Sequence, residues 1–356
     1  MGICEPSLAL SIVSGSQTDA LVSDYSSKNK SSTGQKARWQ APAVESCAGG
    51  SSAPAMARLR EKAKHLSMLF RELGKTGIRL PEIGIGTWNY RGGVEALRAA
   101  IECGARLIDT AESYGTEEIV GEAIKGRRHQ VFLATKVLPR NFRRRDLIVA
   151  AERSLRRLGT DHIDLYQLHW PNLTIPIEDP MRGMEELVDA GKVRFIGVSN
   201  FIVRDLIEAQ AALGKQRIVA NQVRYSLVDR TIEGGLLQYC QKNGITVIAY
   251  SPLASGVRNI RAADPERVLR RVAQASAKSE AQVALNWCIS KENVIAIPKA
   301  STVAHVMENV GASGWKLQPE LAHVLEKRIR YRRRGALEMG ARRAVRWGMQ
   351  KLGRWQ

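Results

Sequence analysis

The sequence predicts an eight-stranded parallel α/β barrel, a (β/α)8 or TIM barrel. Three observations predict it. Eight short runs rich in β-branched residues occur in succession, helix-period segments separate them, and the whole repeat covers about 250 residues, the usual size of such a barrel. The strand runs are 82–87, 106–109, 131–136, 163–169, 194–199, 219–222, 246–250 and 294–298.

Taken in order, residues 1–66 are rich in Ser, Gly and Ala with no sustained periodicity, and read as a disordered extension. Translation starting at Met68 is the alternative for this segment. Its apolar run at 8–13 lacks a basic segment before it and is not expected to be a signal peptide. Pro6 replaces the Ser or Thr that N-myristoylation requires. From Met68 a Gly and Lys-Thr-Gly turn predicts a short β-hairpin ahead of the first barrel strand. Helical spacing follows in stretches such as Val94-Glu-Ala-Leu-Arg-Ala-Ala-Ile and Leu147-Ile-Val-Ala-Ala-Glu-Arg-Ser-Leu. A helix at 318–325 closes the barrel domain, set at 67–326, and 327–356 forms a basic tail.

Composition excludes several classes. At 44% hydrophobic and 25% charged residues the chain is of ordinary globular type. No apolar run approaches the roughly 18 residues that span a bilayer. Five scattered cysteines, with no C-x-x-C, speak against a disulfide framework or a metal site and for a reducing compartment, hence a cytoplasmic location. The net charge of +19 raises the question of nucleic acid or anionic membrane, but much of the excess lies in the arginine-rich tail. No specific nucleic-acid contact is therefore expected. A doubly wound dinucleotide fold fails as well, because Gly84-Ile-Gly86 lacks the third glycine of its fingerprint and opens no helix.

Chemistry concentrates just past three successive strands, at Asp109 and Tyr114, Lys136, and His169. The C-terminal strand ends of a parallel barrel share one mouth, so these four converge there. A tyrosine is too weak an acid near neutrality unless its phenolate is stabilised, and an ammonium beside it does this. The aspartate fixes that ammonium, and the histidine orients a substrate oxygen. Together they form a proton donor for a carbonyl oxygen that gains negative charge. None of the four is a hydride source, so a redox cofactor has to be supplied. Singly, each has a plainer reading: a solvated lysine, a structural histidine, a loop tyrosine, a capping aspartate.

The motifs Gly84-x-Gly-Thr-Trp88, Leu107-Ile-Asp-Thr-Ala-Glu-x-Tyr-Gly115, Ala134-Thr-Lys136, Leu165-x-Gln-Leu-His-Trp170, Gly191-Lys-Val-Arg-x-Ile-Gly-Val-Ser-Asn200 and Ala249-Tyr-Ser-Pro-Leu253 resemble the aldo-keto reductases, in particular their short microbial kind. The resemblance covers roughly residues 70–325. It implies reduction of an aldehyde or ketone by NAD(P)H, with Tyr114 as general acid and Asp109, Lys136 and His169 completing the tetrad. Ser199, Asn200 and Gln222 would hold the nicotinamide carboxamide, and Tyr250 would stack on its ring. Ser251 and Leu253 would lie near the pyrophosphate, Thr87 and Trp88 would also serve the cofactor, and Trp88 and Trp170 would line the substrate cleft. Tyr250 as core and Ser199-Asn200 as a helix cap before 203–213 remain the structural alternatives. Lys299, Ser301, His305, Glu308 and Asn309 fall on the family's 2′-phosphate and adenine segment.

That segment departs from the family pattern. Ala300 stands where a serine is usual and His305 where an arginine is usual. A guanidinium is always charged and grips phosphate with two bonds, which an imidazole does not. NADPH is expected to be the cofactor, with NADH use open; Ser301 or Thr302 offers a substitute hydroxyl. Loops at 171–178 and 257–264 are expected to shape the cleft. In the tail, Ala341, Ala344, Val345, Gly348, Met349, Leu352 and Trp355 share a helical face, and Arg342, Arg343, Arg346, Lys351 and Arg354 fall elsewhere. Docking on the barrel, solvation, or weak contact with an anionic membrane or a partner are the readings of this helically spaced tail, and its glycines weaken the helical reading. A cofactor-binding regulatory or scaffolding barrel is the alternative to an enzyme.

Overall fold

The computed structural model describes residues 67–352. The expectations for 1–66, and for Arg354 and Trp355, lie outside the described residues. An antiparallel hairpin comes first, β1 (Phe70–Glu72) with β2 (Arg79–Pro81). Eight parallel strands follow as one sheet in chain order: β3 (Ile85–Gly86), β4 (Leu107–Asp109), β5 (Phe132–Val137), β6 (Ile163–Leu168), β7 (Val193–Ser199), β8 (Ile218–Arg224), β9 (Thr246–Tyr250) and β10 (Val294–Ile297). A bridge from Ile83 to Ala296 brings the first strand beside the last. The Gly84 N–H donates to the Ala296 carbonyl at 2.9 Å and the Thr87 N–H to the Asp109 carbonyl at 2.9 Å. Ladder bonds thus extend over most of the predicted 82–87 run.

Two glycines make this closure possible. A Cβ on Gly84 would lie 2.7 Å from the Leu107 carbonyl oxygen, and one on Gly86 2.9 Å from that of Ile297. No side chain fits where the first strand is squeezed between its neighbours.

Alternation along the strands sorts the side chains into two cores. Inward positions at the strands' N-terminal ends are apolar: Leu107, Phe132, Ala134, Leu165, Ile248 and Ile295 pack with Leu73 and Leu80 of the hairpin region. The hairpin thereby plugs the bottom of the barrel. Further along the same inward faces stand Asp109, Lys136, Gln167 and Gln222, all buried. Outward positions such as Ile108, Leu133, Tyr166 and Val198 pack against the helices in the larger core.

The helices that supply that layer are α1 (Val94–Glu102), α2 (Glu117–Ile124), α3 (Arg144–Leu158), α4 (Glu178–Asp189), α5 (Val203–Ala211), α6 (Leu236–Asn243), α7 (Val257–Ala262), α8 (Val268–Ala275), α9 (Glu280–Ile289), α10 (Val303–Val310) and α11 (Pro319–Arg328). In α3 the buried residues Leu147, Ala150, Ala151, Ser154, Leu155 and Leu158 recur at three- and four-residue spacing, one stripe of a 3.6-period helix. Leu325 and Ile329 are buried in the main core, so the packed body runs slightly past the predicted boundary at 326.

A last helix, α12 (Ala336–Lys351), follows the helical spacing of the tail and continues through Gly340 and Gly348, the glycines that weaken it. Before it, the Arg332 N–H donates to the Val228 carbonyl and the Arg230 N–H to the Arg332 carbonyl, each at 2.9 Å, which ties the segment to the loop after β8. The helix itself docks on the first turn of α5 and on the loop after β6. Arg343 pairs with Asp205 at 2.5 Å, and Gln350 bonds the Pro171 carbonyl and the Leu173 N–H, each at 2.9 Å. Tertiary bonds to the first turn of α5 and to the loop after β6 outweigh the weak intrinsic propensity of two glycines.

Candidate active site

Four predicted side chains meet at the C-terminal ends of β4, β5 and β6. Lys136, at an inward position of β5, is fully buried and donates to Asp109 Oδ1 at 2.6 Å and to the Thr110 carbonyl at 2.8 Å. Its Nζ lies 3.5 Å from the Tyr114 hydroxyl, which in turn lies 3.5 Å from His169 Nε2. Tyr114 sits on a 3-10 turn, Glu112–Tyr114, between β4 and α2. Glu112 fixes that turn by accepting from the Leu138 N–H at 2.5 Å and from Asn141 Nδ2 at 3.0 Å. The Tyr114 and His169 rings meet edge-on with centroids 5.5 Å apart.

Burial sets the charge states. It works against the Lys136 ammonium, but Asp109, with help from Tyr114, more than offsets it, and the lysine stays above its usual range. Burial likewise pushes the Tyr114 phenol up, and the Lys136 charge and hydrogen bond only partly bring it back. This differs from the expectation that the ammonium would leave the tyrosine more acidic. Desolvation of a phenolate in this cleft outweighs one neighbouring charge. Burial, joined by the Lys136 charge, brings His169 down to about 3. The site at neutral pH therefore holds a charged lysine, a neutral histidine and a protonated phenol.

The tetrad opens into a cavity of about 950 Å³. Trp88, Trp170, Ser199, Asn200, Gln222, Tyr250, Ser251, Leu253 and Lys299 line it, together with Tyr114, His169 and Asp109. The Tyr250 hydroxyl donates to Asn200 Oδ1 at 3.0 Å, and Asn200 Nδ2 donates to the His169 carbonyl at 3.2 Å and to Ser199 Oγ at 2.9 Å. These bonds join the mouths of β6, β7 and β9. Left-handed backbone clusters on the same side, at Asn89, Asn200, Ser251, Ala254 and Ser255. Asparagine tolerates that conformation, but serine and alanine are held in it at a cost of about 1–2 kcal/mol each.

Three sets of expected cofactor residues differ in their place relative to this cavity. Thr87, expected at the cofactor, is fully buried behind the site: its hydroxyl donates to the Asp109 carbonyl at 3.0 Å and meets Thr116 Oγ1 at 2.9 Å. Gln222 lines the cavity, but its amide nitrogen is engaged by Asp109 Oδ2 at 2.7 Å. Ser301, His305, Glu308 and Asn309 do not line this cavity; Glu308 borders a separate shallow pocket with Arg261, Arg270 and Lys278. In the same segment His305 is exposed, Asn309 is buried, and Thr302 caps α10 by accepting from the His305 N–H at 3.3 Å.

Sequence reasoning missed Gln167, whose Nε2 reaches Asp109 Oδ2 at 3.3 Å. It stands two residues before His169 on the same inward face, and that spacing was the available signal. Also missed was Arg224, two residues beyond Gln222 and in the cavity wall, with its guanidinium carbon 5.6 Å from the Tyr250 ring centre. Among the described residues, no cluster of His, Cys, Asp or Glu could hold a metal ion.

Comparison with known proteins gives one answer. The sequence model of the Aldo/keto reductase family matches residues 82–327. Methylglyoxal reductase YeaE of Escherichia coli is 43% identical over 261 residues, covering 70% of this chain and 91% of that protein. The thermostable aldo-keto reductase Tm1743, solved with the inhibitor epalrestat, is 44% identical with a TM-score of 0.69, over 73% of this chain and 99% of that one. An aldo-keto reductase from Klebsiella pneumoniae in complex with NADPH is 37% identical with a TM-score of 0.70, over 76% and 98%.

Proposed function

The chain belongs to the aldo/keto reductase family, and from that premise we propose that Tyr114, Lys136, Asp109 and His169 reduce a small aldehyde to its alcohol. Reduction of a carbonyl with NAD(P)H is the activity of this family's site, and NADPH is the cofactor seen in its solved relative. The residues present suit such a group. A wall of amide and hydroxyl side chains at Ser199, Asn200 and Gln222, an aromatic face at Tyr250 and a cation at Lys299 border one cavity. A nicotinamide dinucleotide bound there supplies the hydride.

The chain's own residues do the rest. A carbonyl oxygen placed between the Tyr114 hydroxyl and His169 Nε2, themselves 3.5 Å apart, meets two hydrogen-bond donors at once. For this the neutral histidine must carry its proton on Nε2; its Nδ1 is buried with no partner. As negative charge grows on the oxygen, Tyr114 transfers its proton and becomes a phenolate. Lys136 stabilises that anion, and Asp109 and the Thr110 carbonyl keep the ammonium aimed at it. The single observation that carries this reading is the buried Asp109–Lys136 pair directed at the Tyr114 hydroxyl.

The likeness to a methylglyoxal reductase and the indole-walled cleft at Trp88 and Trp170 support small 2-oxoaldehydes as substrates. The described cysteines Cys103, Cys240 and Cys288 are buried free thiols that burial makes weaker acids, which suits a cytoplasmic protein. The test is NADPH oxidation across a panel of aldehydes and ketones. Methylglyoxal and simple aldehydes are expected to turn over, with kcat/KM above that of bulky ketones. Cofactor binding with no turnover on any carbonyl would contradict the proposal.

A further inference from the structure

Helix α12 is amphipathic in the reverse sense. A surface helix normally lays its apolar stripe on the body and turns its charges to water. Here the polar residues face the barrel: Arg343 on Asp205, Gln350 on Pro171 and Leu173, and Arg346 with its guanidinium carbon 4.6 Å from the Trp170 ring centre. Leu337, Ala341, Ala344, Val345 and Leu352 are exposed, the three larger ones at 92%, 62% and 69%. At 3.6 residues per turn these five positions fall on one side of the helix. A Cβ added at Gly340 or Gly348 meets nothing within 4 Å, so the face is open along its length. Trp347, 44% exposed, stands at its edge with Lys351 Nζ 4.3 Å from its ring centre.

Charge decides what covers this face. From Lys327 to Leu352 there are ten arginines and lysines against one acid, Glu338. Lys327, Arg328, Arg330, Arg333, Arg342 and Lys351 are exposed. A second copy would bring two such cationic surfaces together and be repelled. An anionic bilayer offers both an apolar interior for the stripe and negative headgroups for the flanks. We propose that α12 docks this protein on an anionic membrane surface, the helix lying in the headgroup plane with its apolar stripe inward. Among the described residues no helix is long and apolar enough to cross a membrane, so the contact is peripheral. Because α12 is tied to the loop bearing Trp170 and Pro171, docking brings the rim of the cleft to the membrane.

Co-sedimentation of the full chain with vesicles tests this. Partition onto phosphatidylcholine vesicles with about a third phosphatidylglycerol should exceed that onto pure phosphatidylcholine by about tenfold or more. It should fall in about 0.5 M salt. It should vanish in the double variant Val345→Asp/Leu352→Asp, whose exposed positions leave the fold and the reductase turnover intact. Equal binding to both vesicles, undiminished binding by the double variant, or no binding at all would overturn the proposal. So would a dimer in sedimentation velocity that the double variant dissolves, since a second copy would then own the stripe. The readout is sedimentation, so it stands or falls independently of the proposed reductase activity.

Discussion

Helices α3 and α12 put the same kinds of residue to opposite use. In α3 a continuous apolar stripe is buried against the barrel, while Arg144, Arg145 and Arg156 stay in water. In α12 arginines and a glutamine grip the barrel, and the apolar residues are left outside. The first arrangement is a fold-building element, stabilised by surface taken out of water. The second is held by directional polar contacts at the rim of the mouth. The barrel's stability is therefore expected to depend far less on α12 than on α3.

Substitutions can break that comparison. The largest expected effect is at the buried pair that underlies the site. Lys136→Met keeps the volume but leaves Asp109 without its cation, and should cost about 3–5 kcal/mol in urea unfolding. Next is the apolar stripe of α3. Leu147→Ala should cost about 2–5 kcal/mol, whereas ending the chain after Arg334 should cost less, about 1 kcal/mol, since it removes polar contacts and the ion pair that a partly exposed Arg343 makes to Asp205. Equal losses from these last two changes would erase the contrast between the helices.

The active site was legible for a physical reason. The C-terminal strand ends of a parallel barrel share one mouth, so Asp109, Lys136 and His169 could be placed there from their positions at the ends of successive apolar runs. The place of Thr87 was not legible, because its hydroxyl bonds the Asp109 carbonyl and Thr116, a neighbour remote in sequence, outside the cavity lining. The tail's amphipathic pattern was also visible, but the pattern does not say which face docks. That depends on Asp205 in the first turn of α5 and on the Pro171 carbonyl and Leu173 N–H of the loop after β6, all far away in sequence. The net rise in the Tyr114 pKa was hidden too, because burial is not written in residue types.

A smaller effect concerns pH. His169 takes a proton in the unfolded chain below about pH 6.5, but in the fold only near pH 3. Between these values the unfolded state binds more protons, so this residue makes stability fall as pH drops through the window. His169→Gln should flatten that slope in unfolding measured from pH 7 to 4. It follows too that kcat/KM of the parent protein should show no ionisation from His169 near pH 6.5. The smallest effect is on cofactor choice. With Ala300 and exposed His305 in place of a hydroxyl and a guanidinium, NADPH should be preferred over NADH by less than about a thousandfold in KM, since the bidentate phosphate contact is lost; a larger preference would show the clamp to be intact.

The central claim is that Tyr114 is the proton donor in an otherwise preassembled site. The direct measurement is turnover of methylglyoxal with NADPH by Tyr114→Phe, alongside NADPH binding by fluorescence. Phenylalanine keeps the ring and removes only the hydroxyl. Turnover should fall by about 10²–10⁴-fold while cofactor affinity is unchanged. A variant that reduces methylglyoxal at the parent rate would contradict the account.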